Sequence, residues 1–478
     1  MSLTQEIPFE GGKWSEGLIG QPVFINPLVP GNDIDQDIAE LIFAKLDRLG
    51  DIKRDETGKE WTVRLKENLR WQDDEKITSD DLVFTVESIV DPESHSPLSQ
   101  SFLGVSVSRI SELETKFTLP APYVFFETTL LNLQIIPKHI FGNIPAANLY
   151  LSNYRLEPVG SGPYRFSSYS KTRDGFIKEY RLAPNRNYFE KPPYIAKFTF
   201  KFFPNERQLF RAYNSGLVDG FILANPADLS ELKLRHNVKK IKSSRYFAVF
   251  INQSLAPALK DPNERKVLGQ SVSRESLVEE IFGGLARPLF GPVEGVEPPA
   301  PLKELFLKQA LTLNLVFPKL PVLEKVASSL KADWEKIGLN LNLSPQNTSE
   351  IRETIKKRDY ELILFGNILN NPQDLYSFWH SSNRFHPGLN LSLYANKNAD
   401  ALMEKIRSAA DEDKRKTDLD KLTRIIMDDA PAVFLYSPDY IYITSPKLRG
   451  FVESAIVTVN NRFDNVNNWY VKTVRKFK

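Results

Sequence analysis

Few side chains in this sequence have the types and spacing that chemistry requires. The 478 residues include no cysteine and five histidines, which excludes thiol nucleophiles, disulfides, iron–sulfur clusters and cysteine-bound zinc. His380 and His386 are the only close histidine pair in the sequence, and Asp374 lies nearby. Their spacing fits neither one helix face nor a zinc signature, so it favours hydrogen bonding over metal binding. We expect no metal and no cofactor.

Two further motifs could be chemical, but their neighbours favour structural roles. Gly160-Ser161-Gly162 is followed by Pro163 and by no Lys-Ser/Thr pair, so it is not a phosphate loop. The G-x-S-x-G elbow of serine hydrolases is also missing, and the segment predicts a turn. Asp73-Asp74-Glu75 could supply an acid–base pair, but it lies between a strand and a capped helix, where solvated acids are usual.

Charged and aromatic side chains give two more candidates for binding. Arg265 and Arg274, predicted on one helix, could reach an anionic ligand, although salt bridges are the favoured role. An aromatic cluster at Tyr376, Phe378, Trp379 and His380 follows a predicted strand. Such side chains suit binding in a cleft without chemistry, and each could equally fill the core.

The elements that would position this cluster are clear from periodicity. Segments 311–317, 339–343 and 360–365 are predicted strands, and segments 322–337 and 349–358 are predicted helices. This β-α-β-α-β order predicts an open sheet covered by helices, in which ligands bind beyond the carboxyl ends of the strands. That edge is residues 366–380. Two helices, near 399–410 and 414–429, then lead to a predicted strand pair, A-V-F-L-Y and Y-I-Y-I-T.

The amino-terminal region has its own pattern. Segment 33–46 is a predicted amphipathic helix, and segment 61–71 alternates as a strand does. Thr78 and Asp81 have the spacing of a capping box at the start of the next helix. The apolar face of that helix consists of Leu82, Val83, Val86, Ile89 and Val90.

Composition and charge exclude several classes of protein. Lys plus Arg is 62 and Asp plus Glu is 60, a net charge of +2, which gives no sign of a general nucleic-acid or anionic-membrane binder. No apolar stretch approaches the length of a membrane span. The sequence starts without a signal peptide. It is therefore either cytosolic or the mature part of a precursor with an upstream export or lipid-anchor segment. The basic carboxyl terminus, K-T-V-R-K-F-K, is predicted to be a solvated tail.

Five segments together resemble the family 5 extracellular solute-binding proteins, the oligopeptide, dipeptide and nickel receptors of ABC importers. The segments are R-L-K-E-N-L-R-W-Q-D-D-E-K-I-T-S-D-D-L-V-F-T-V-E (64–87), P-V-G-S-G-P-Y-R-F (158–166), Gly216 to Phe221, Asp261 to Val278, and D-A-P-A-V-F-L-Y-S-P (429–438). The segments follow the family's order, and the resemblance covers nearly the whole chain.

The resemblance implies an α/β, two-lobed periplasmic-binding-protein-like fold of class II, in the large cluster with an extra inserted subdomain, with mixed sheets flanked by helices. Lobe I would be discontinuous, with residues 1–40, 158–250 and 439–478, and the accessory subdomain would be inserted at 41–157. Lobe II would be residues 251–438. The crossings near Phe250 and Tyr436 would form a hinge, and the lobes would close on the ligand.

The resemblance also implies a binding site, with departures. Peptide receptors of this family often hold the peptide's α-amino group with an Asp that follows a Gly-Trp pair at the end of the last sheet strand. Here Asn367 stands for the Trp and Asn370 for the Asp, and Glu75 replaces a usual Gly. The candidate ligand-binding residues are Asn26, Phe250, Asn252, Asn367, Asn370, Asp374, Tyr376, Trp379 and His380.

The resulting prediction is an extracytoplasmic, monomeric receptor, not an enzyme. It would capture peptides between two closing lobes and deliver them to an ABC permease, with no nucleic-acid partner. Two alternatives stay open: a receptor for another solute such as a nickel chelate, which His380 and His386 suggest, or a hydrolase with a carboxylate pair in the same cleft. The resemblance and the start of the chain predict that the encoded precursor carries an export signal or a lipid anchor.

Overall fold

The structure is a computed structural model that describes residues 4–477. Residues 1–3 and 478, which were assigned to the discontinuous lobe, lie outside the described residues. The strands are β1 (Thr4–Phe9), β2 (Lys13–Ile19), β3 (Gly50–Arg54), β4 (Glu60–Leu65), β5 (Ser106–Arg109), β6 (Glu114–Thr118), β7 (Tyr164–Lys171), β8 (Ile177–Pro184), β9 (Lys197–Phe203), β10 (Gly220–Leu223), β11 (Asn237–Ile241), β12 (Arg245–Ile251), β13 (Ala286–Pro288), β14 (Leu311–Pro318), β15 (Leu339–Gln346), β16 (Leu362–Ile368), β17 (Ala432–Pro438), β18 (Tyr440–Thr444) and β19 (Lys472–Phe477).

The helices are interspersed with these strands, and mixed sheets flanked by helices confirm the predicted α/β class. They are α1 (Asp33–Ile42), α2 (Leu46–Leu49), α3 (Ser79–Val90), α4 (Phe126–Leu131), α5 (Lys138–Phe141), α6 (Glu206–Asn214), α7 (Pro262–Gln270), α8 (Arg274–Phe282), α9 (Pro321–Glu335), α10 (Thr348–Lys357), α11 (Tyr376–Trp379), α12 (Lys397–Ser408) and α13 (Glu412–Asp429).

The chain forms two compact units. Among the described residues, unit 1 comprises residues 4–224, 228–241 and 440–477, and unit 2 comprises residues 225–227 and 242–439. The predicted lobe boundaries and the inserted subdomain at 41–157 stay predictions.

Unit 1 contains three sheets within the described residues. They are a seven-stranded sheet of order β11-β18-β10-β2-β9-β8-β7, a four-stranded sheet of order β3-β4-β6-β5, and a two-stranded ribbon of β1 and β19. One continuous hydrophobic core includes the fully buried Trp14, Trp61, Trp71 and Trp469. The carboxyl-terminal segment was predicted to be a solvated tail. Its described residues are exposed as predicted, but they also form β19, because β1 offers an antiparallel partner.

The first predicted helix and strand are both shorter than their apolar patterns. Helix α1 ends at Ile42 because Phe43 is extended, and Leu46 begins the separate α2. Strand β4 ends at Leu65 rather than at residue 71, since Asn68 adopts the left-handed conformation (φ 61°) of a turn. Local periodicity continued through both turns because the residues beyond them are still buried.

The predicted start of α3 is confirmed. Thr78 accepts a hydrogen bond from the Asp80 amide, and Asp81 accepts one from the Thr78 amide, which completes a capping box. Leu82, Val86 and Ile89 are buried as predicted. Val83 is half-buried, and Val90 is 42% exposed at the end of the helix, so the predicted apolar face was too wide.

The turn at residues 160–162 is confirmed as structural. A Cβ atom on Gly160 would lie 2.1 Å from the Ile42 carbonyl oxygen, so only glycine fits against the end of α1. The Gly162 amide donates to that same carbonyl at 2.7 Å. The Ser161 hydroxyl accepts from the Ala44 amide at 3.2 Å, which assigns it a packing role and not a nucleophilic one.

A buried ion triad joins the two ends of the chain inside unit 1. The Arg462 guanidinium lies 2.8 Å from Asp37 and 3.1 Å from Glu16, and its side chain is fully buried. Trp14 and Tyr442 also donate hydrogen bonds to Glu16. Burial raises the pKa of the Glu16 and Asp37 carboxyls, and the attraction of Arg462 opposes that rise. The two carboxylates thus compensate the buried charge of Arg462 within unit 1.

Unit 2 contains a six-stranded sheet of order β13-β17-β12-β16-β14-β15 within the described residues. Strand β14 pairs in parallel with β15 and β16, and β12 pairs antiparallel with β16 and β17. This confirms that the three predicted strands lie in one sheet. Helix α9 packs on it with Leu323, Val326, Ala327, Leu330, Trp334 and Ile337 buried, as predicted.

The last two apolar strands follow each other in sequence but do not pair with each other. Strand β17 pairs with β12 and β13 in unit 2, whereas β18 pairs with β10 and β11 in unit 1. Asp439 alone separates the two strands. Strong strand sequences on both sides of one residue resemble a hairpin, but the partners of each strand are distant in sequence.

A bulge in β17 distributes aromatic side chains to both faces of the unit 2 sheet. Phe434 pairs with Ala248 and Tyr436 pairs with Phe247, which leaves Leu435 as the extra residue. Tyr436 therefore stacks on Phe247 (5.1 Å between centroids) on one face. Phe434 faces the other side of the sheet, where the segment after β16 packs.

Candidate functional site

The candidate site begins at the edge where the parallel strands of unit 2 end. Strand β16 was predicted to end at residue 365, but it continues to Ile368, so Gly366 and Asn367 belong to the sheet. We call residues 366–380 the edge segment. A Cβ atom on Gly366 would lie 2.9 Å from the Phe247 ring, so glycine lets this ring cover the strand.

Asn367 is held inside unit 2. Its side-chain amide donates to the Tyr246 hydroxyl at 3.0 Å, and the residue is 5% exposed. Burial raises the pKa of Tyr246 well above its usual range, and the hydrogen bond from Asn367 partly opposes this. The pair therefore stays neutral and orients β12 against β16.

Trp379 fills the core beneath the edge segment. It is fully buried, with ring centroids 5.6 Å from Phe434, 6.0 Å from Phe250 and 6.2 Å from Tyr394. Of the two roles predicted for this aromatic cluster, Trp379 has the core role in this structure, and the separate candidate Phe250 is buried beside it. They support the edge segment from behind.

Asp374 already has a charged partner. Its Oδ2 lies 3.4 Å from Arg407 Nε on α12, and its Oδ1 accepts from the Tyr376 amide at 3.3 Å. The Arg407 guanidinium also lies over the Tyr376 ring, 4.4 Å from the centroid. A ligand cation would have to compete with Arg407 for this carboxylate.

His380 continues this stack. Its ring lies 4.1 Å from Tyr376 at an interplanar angle of 17°. Its Nδ1 lies 2.8 Å from the Ser382 hydroxyl, and its Nε2 lies 3.4 Å from a Glu404 carboxylate oxygen. The described residues contain no group of three or more side chains arranged to hold a metal ion, and His386 is exposed. His380 is therefore engaged in hydrogen bonding and stacking.

The remaining candidates lie in three different places. Asn370 is exposed on the edge segment. Asn252 follows the other end of β12, where its side-chain amide donates to the Arg358 carbonyl at 3.0 Å. Asn26 is buried in unit 1, and its side chain accepts from the Leu28 amide. Within unit 2, the structure therefore brings together the six candidates of the edge segment, with Phe250 behind them, and places Asn252 at the opposite end of the sheet.

The end of the sheet that holds Asn252 has a groove of its own. This opposite edge encloses about 490 Å³ between Asn252, Leu255, Arg358 and Phe385. The Arg358 guanidinium is buried and donates to the backbone carbonyls of Ile355, Arg384 and Gly388. Burial lowers the pKa of Arg358. Backbone carbonyls therefore satisfy the charge of this side chain.

Arg265 and Arg274 are also structural. They lie on separate helices, α7 and α8, and not on one helix as predicted. Arg265 donates to carbonyls that include those of Leu259 and Ala430, and Arg274 donates to those of Leu289 and Phe434. Burial lowers the pKa of Arg274 to about 10. The predicted salt bridges are replaced by backbone acceptors.

The chain matches one known protein family over most of its length. Residues 49–386 match the model of "Bacterial extracellular solute-binding proteins, family 5 Middle". The chain belongs to this family. The match spans both units and includes the edge segment.

Relatives of this solute-binding protein agree with the fold. The oligopeptide-binding protein AppA of Bacillus subtilis is 25% identical over 93% of this chain and 89% of that protein. The ABC transporter substrate-binding protein CtaP of Listeria monocytogenes has a TM-score of 0.83, with 24% identity, 97% of this chain and 99% of that chain covered. The structure of AppA with a nonapeptide gives 0.76, with 23% identity and 98% and 100% covered. These likenesses confirm the predicted periplasmic-binding-protein fold.

Within residues 4–477, each helix is too short or too polar to cross a bilayer.

Three partners of the candidate residues were not predicted. Arg407 and Tyr246, the partners of Asp374 and Asn367, were missed because pairs so distant in sequence leave no local signal. For Arg407, the helical spacing of the buried Met403 and Ile406 could have placed it beside the covered face of α12. Asp73, a predicted solvated acid, pairs with His139 at 2.8 Å.

Proposed function

We propose that this solute-binding protein captures peptides and delivers them to an ABC permease. The observation that carries the proposal is the family match over residues 49–386. Relatives in that family are named for oligopeptide binding and for ABC transport. The family is extracellular, and the proposal places this chain outside the cytoplasm as a receptor without enzymatic activity.

The edge segment is the proposed ligand-binding surface of unit 2. It follows the carboxyl ends of the parallel strands, where open α/β sheets bind ligands. Asn370 is exposed there, and Tyr376 is half-buried with its hydroxyl 3.3 Å from the Ser382 hydroxyl. Both side chains offer neutral donors and acceptors, which suit the amide groups of a peptide backbone.

The edge segment itself offers a peptide's α-amino group one carboxylate, that of Asp374, which already has a partner. Asn370 carries a neutral amide where peptide receptors of this family often have an Asp, and Asp374 is paired with Arg407. A terminal ammonium group would gain little from displacing Arg407, because one half-buried ion pair would replace another. We therefore propose that peptides are held mainly through their backbones and side chains.

Analysis of the natural ligand tests the receptor proposal. The protein is purified from its native host, denatured, and the released small molecules are identified by mass spectrometry. Peptides are the expected result, and supplying them as a defined mixture to stripped protein should restore binding. Release of a metal chelate or a sugar, together with no uptake from the peptide mixture, would contradict the proposal and favour another solute.

Three further predictions belong to this proposal, and each needs an experiment of its own. Small-angle scattering with and without a binding peptide tests closure, which should lower the radius of gyration. Sedimentation tests the predicted monomer, and the sequence of the full gene tests the predicted export or anchor segment.

The nickel-chelate alternative has less support, because both nitrogens of His380 face other side chains. The hydrolase alternative would need measurable peptide cleavage.

A further inference from the structure

The ribbon of β1 and β19 has a face that the proposed function does not use. Strands β1 and β19 pair antiparallel with Ile7 opposite Val474 and Phe9 opposite Lys472. Because side chains alternate across a strand and directly opposed residues share a face, one face can be read from this register. That face, which we call the ribbon face, consists of Gln5, Ile7, Phe9, Lys472, Val474 and Lys476.

The ribbon face is apolar and basic at once. Phe9 is 53% exposed and Val474 is 43% exposed, while Ile7 is half-buried between them. Lys472 and Lys476 are exposed on either side of Val474, and the face carries no acidic residue. Apolar side chains flanked by lysines are the pattern of proteins that lie on anionic bilayers.

The opposite face of the same ribbon differs in charge. There Glu6 lies opposite Arg475, so the two charges offset each other. Phe477 is 79% exposed on that face and supplies a matched aromatic residue. The two faces of the ribbon therefore differ in local charge, although the net charge of the whole chain is only +2.

The edges of the ribbon disfavour pairing with another protein strand. Strand β1 contains Pro8, which has no amide hydrogen to donate, and β19 contains Lys472, Arg475 and Lys476. Proline and lysine are the residues that block edge-to-edge association of strands. A second copy of the chain, or a strand of a partner protein, is thus a poorer fit than a surface that meets the ribbon face.

We propose that the ribbon face docks onto an anionic lipid bilayer. Phe9, Ile7 and Val474 would enter the interface between headgroups and acyl chains, and Lys472 and Lys476 would contact the anionic headgroups. This contact would hold unit 1 at the membrane independently of any ligand.

Vesicle flotation of the whole chain tests this proposal. The protein should float with phosphatidylcholine vesicles that contain phosphatidylglycerol, less so at high salt, and not with pure phosphatidylcholine vesicles. Phe9→Ser should weaken binding by about tenfold or more, whereas Phe477→Ser should change it by less than about twofold. Lys476→Gln should weaken it about fivefold, and Arg475→Gln, with the same change in charge, should do much less.

Circular dichroism confirms that each variant is folded. Equal losses for Phe9→Ser and Phe477→Ser would overturn the assignment of the face. Absence of binding to the anionic vesicles would overturn the proposal itself. Self-association in sedimentation that Phe9→Ser abolishes, without vesicle binding, would replace the bilayer with a second copy of the chain.

Discussion

The two ends of the unit 2 sheet use buried polar groups in different ways. At the opposite edge, Arg358 and Asn252 are bonded to backbone carbonyls, which move only if the chain unfolds locally. At the edge segment, Asp374 is paired with a side chain, Arg407, and the exposed Asn370 lies nearby. Side-chain partners can exchange with a ligand, so the difference indicates which end can bind and which end holds the fold together.

The largest expected effect is on stability at the opposite edge. Arg358→Met leaves the carbonyls of Ile355, Arg384 and Gly388 without their donor, and unfilled buried acceptors should lower the free energy of unfolding of unit 2 by about 3 kcal/mol. Chemical denaturation, followed by hydrogen exchange of backbone amides in unit 2, measures this loss of stability. Lys357→Met removes the same charge from an exposed neighbour and should have no such effect. A large loss of peptide affinity in a still stable Arg358→Met protein would move the binding site to this end.

The next effect comes from removing one cation beside the carboxylate at the edge segment. Arg407→Gln takes away the positive charge 3.4 Å from Asp374, so this carboxylate should attract a peptide's amino group more strongly. We expect N-acetylation of a peptide to weaken binding to this variant by about tenfold or more. The double variant Asp374→Asn with Arg407→Gln is the control and should lose that sensitivity. If calorimetry finds no difference between the two variants, the edge segment does not face the amino terminus of the ligand.

The smallest effect concerns one neutral hydrogen bond. Asn370→Ala should weaken peptide binding by about 1 kcal/mol, or about fivefold, because an exposed amide contributes one neutral contact. Ser254→Ala, at the exposed rim of the opposite groove, is the matched change and should leave affinity the same. Fluorescence titration with one peptide resolves the two. Equal losses of peptide affinity for the two variants would mean that the exposed side chains do not identify which edge binds the peptide.

Local patterns predicted much of unit 2 correctly. The alternation at 311–317 and 339–343 and the helical spacing from Leu323 to Ile337 depend on contacts within each element, so they can be read from neighbours in sequence. The capping box at Thr78 is local in the same way. The family resemblance extended this to the whole fold, which the comparisons confirmed.

The predictions that failed or stayed open depended on contacts between residues distant in sequence. Strands β17 and β18 look like a pair but join different sheets, because each has a better partner far away in the chain. The aromatic cluster left open whether Trp379 lines a cleft or fills the core. Phe434, which a bulge turns towards it, lies more than 50 residues along the chain. Asn252 was placed with Asn370 although their strands run in opposite directions.

We propose that this receptor holds peptides without an amino-group anchor, and calorimetry on the unaltered protein can test this. One peptide that binds is titrated in its free and its N-acetylated forms. We expect both forms to bind, with affinities that differ by less than tenfold, under about 1.4 kcal/mol. A loss of a hundredfold or more on acetylation would contradict it, since that result requires a carboxylate that pairs with the amino group.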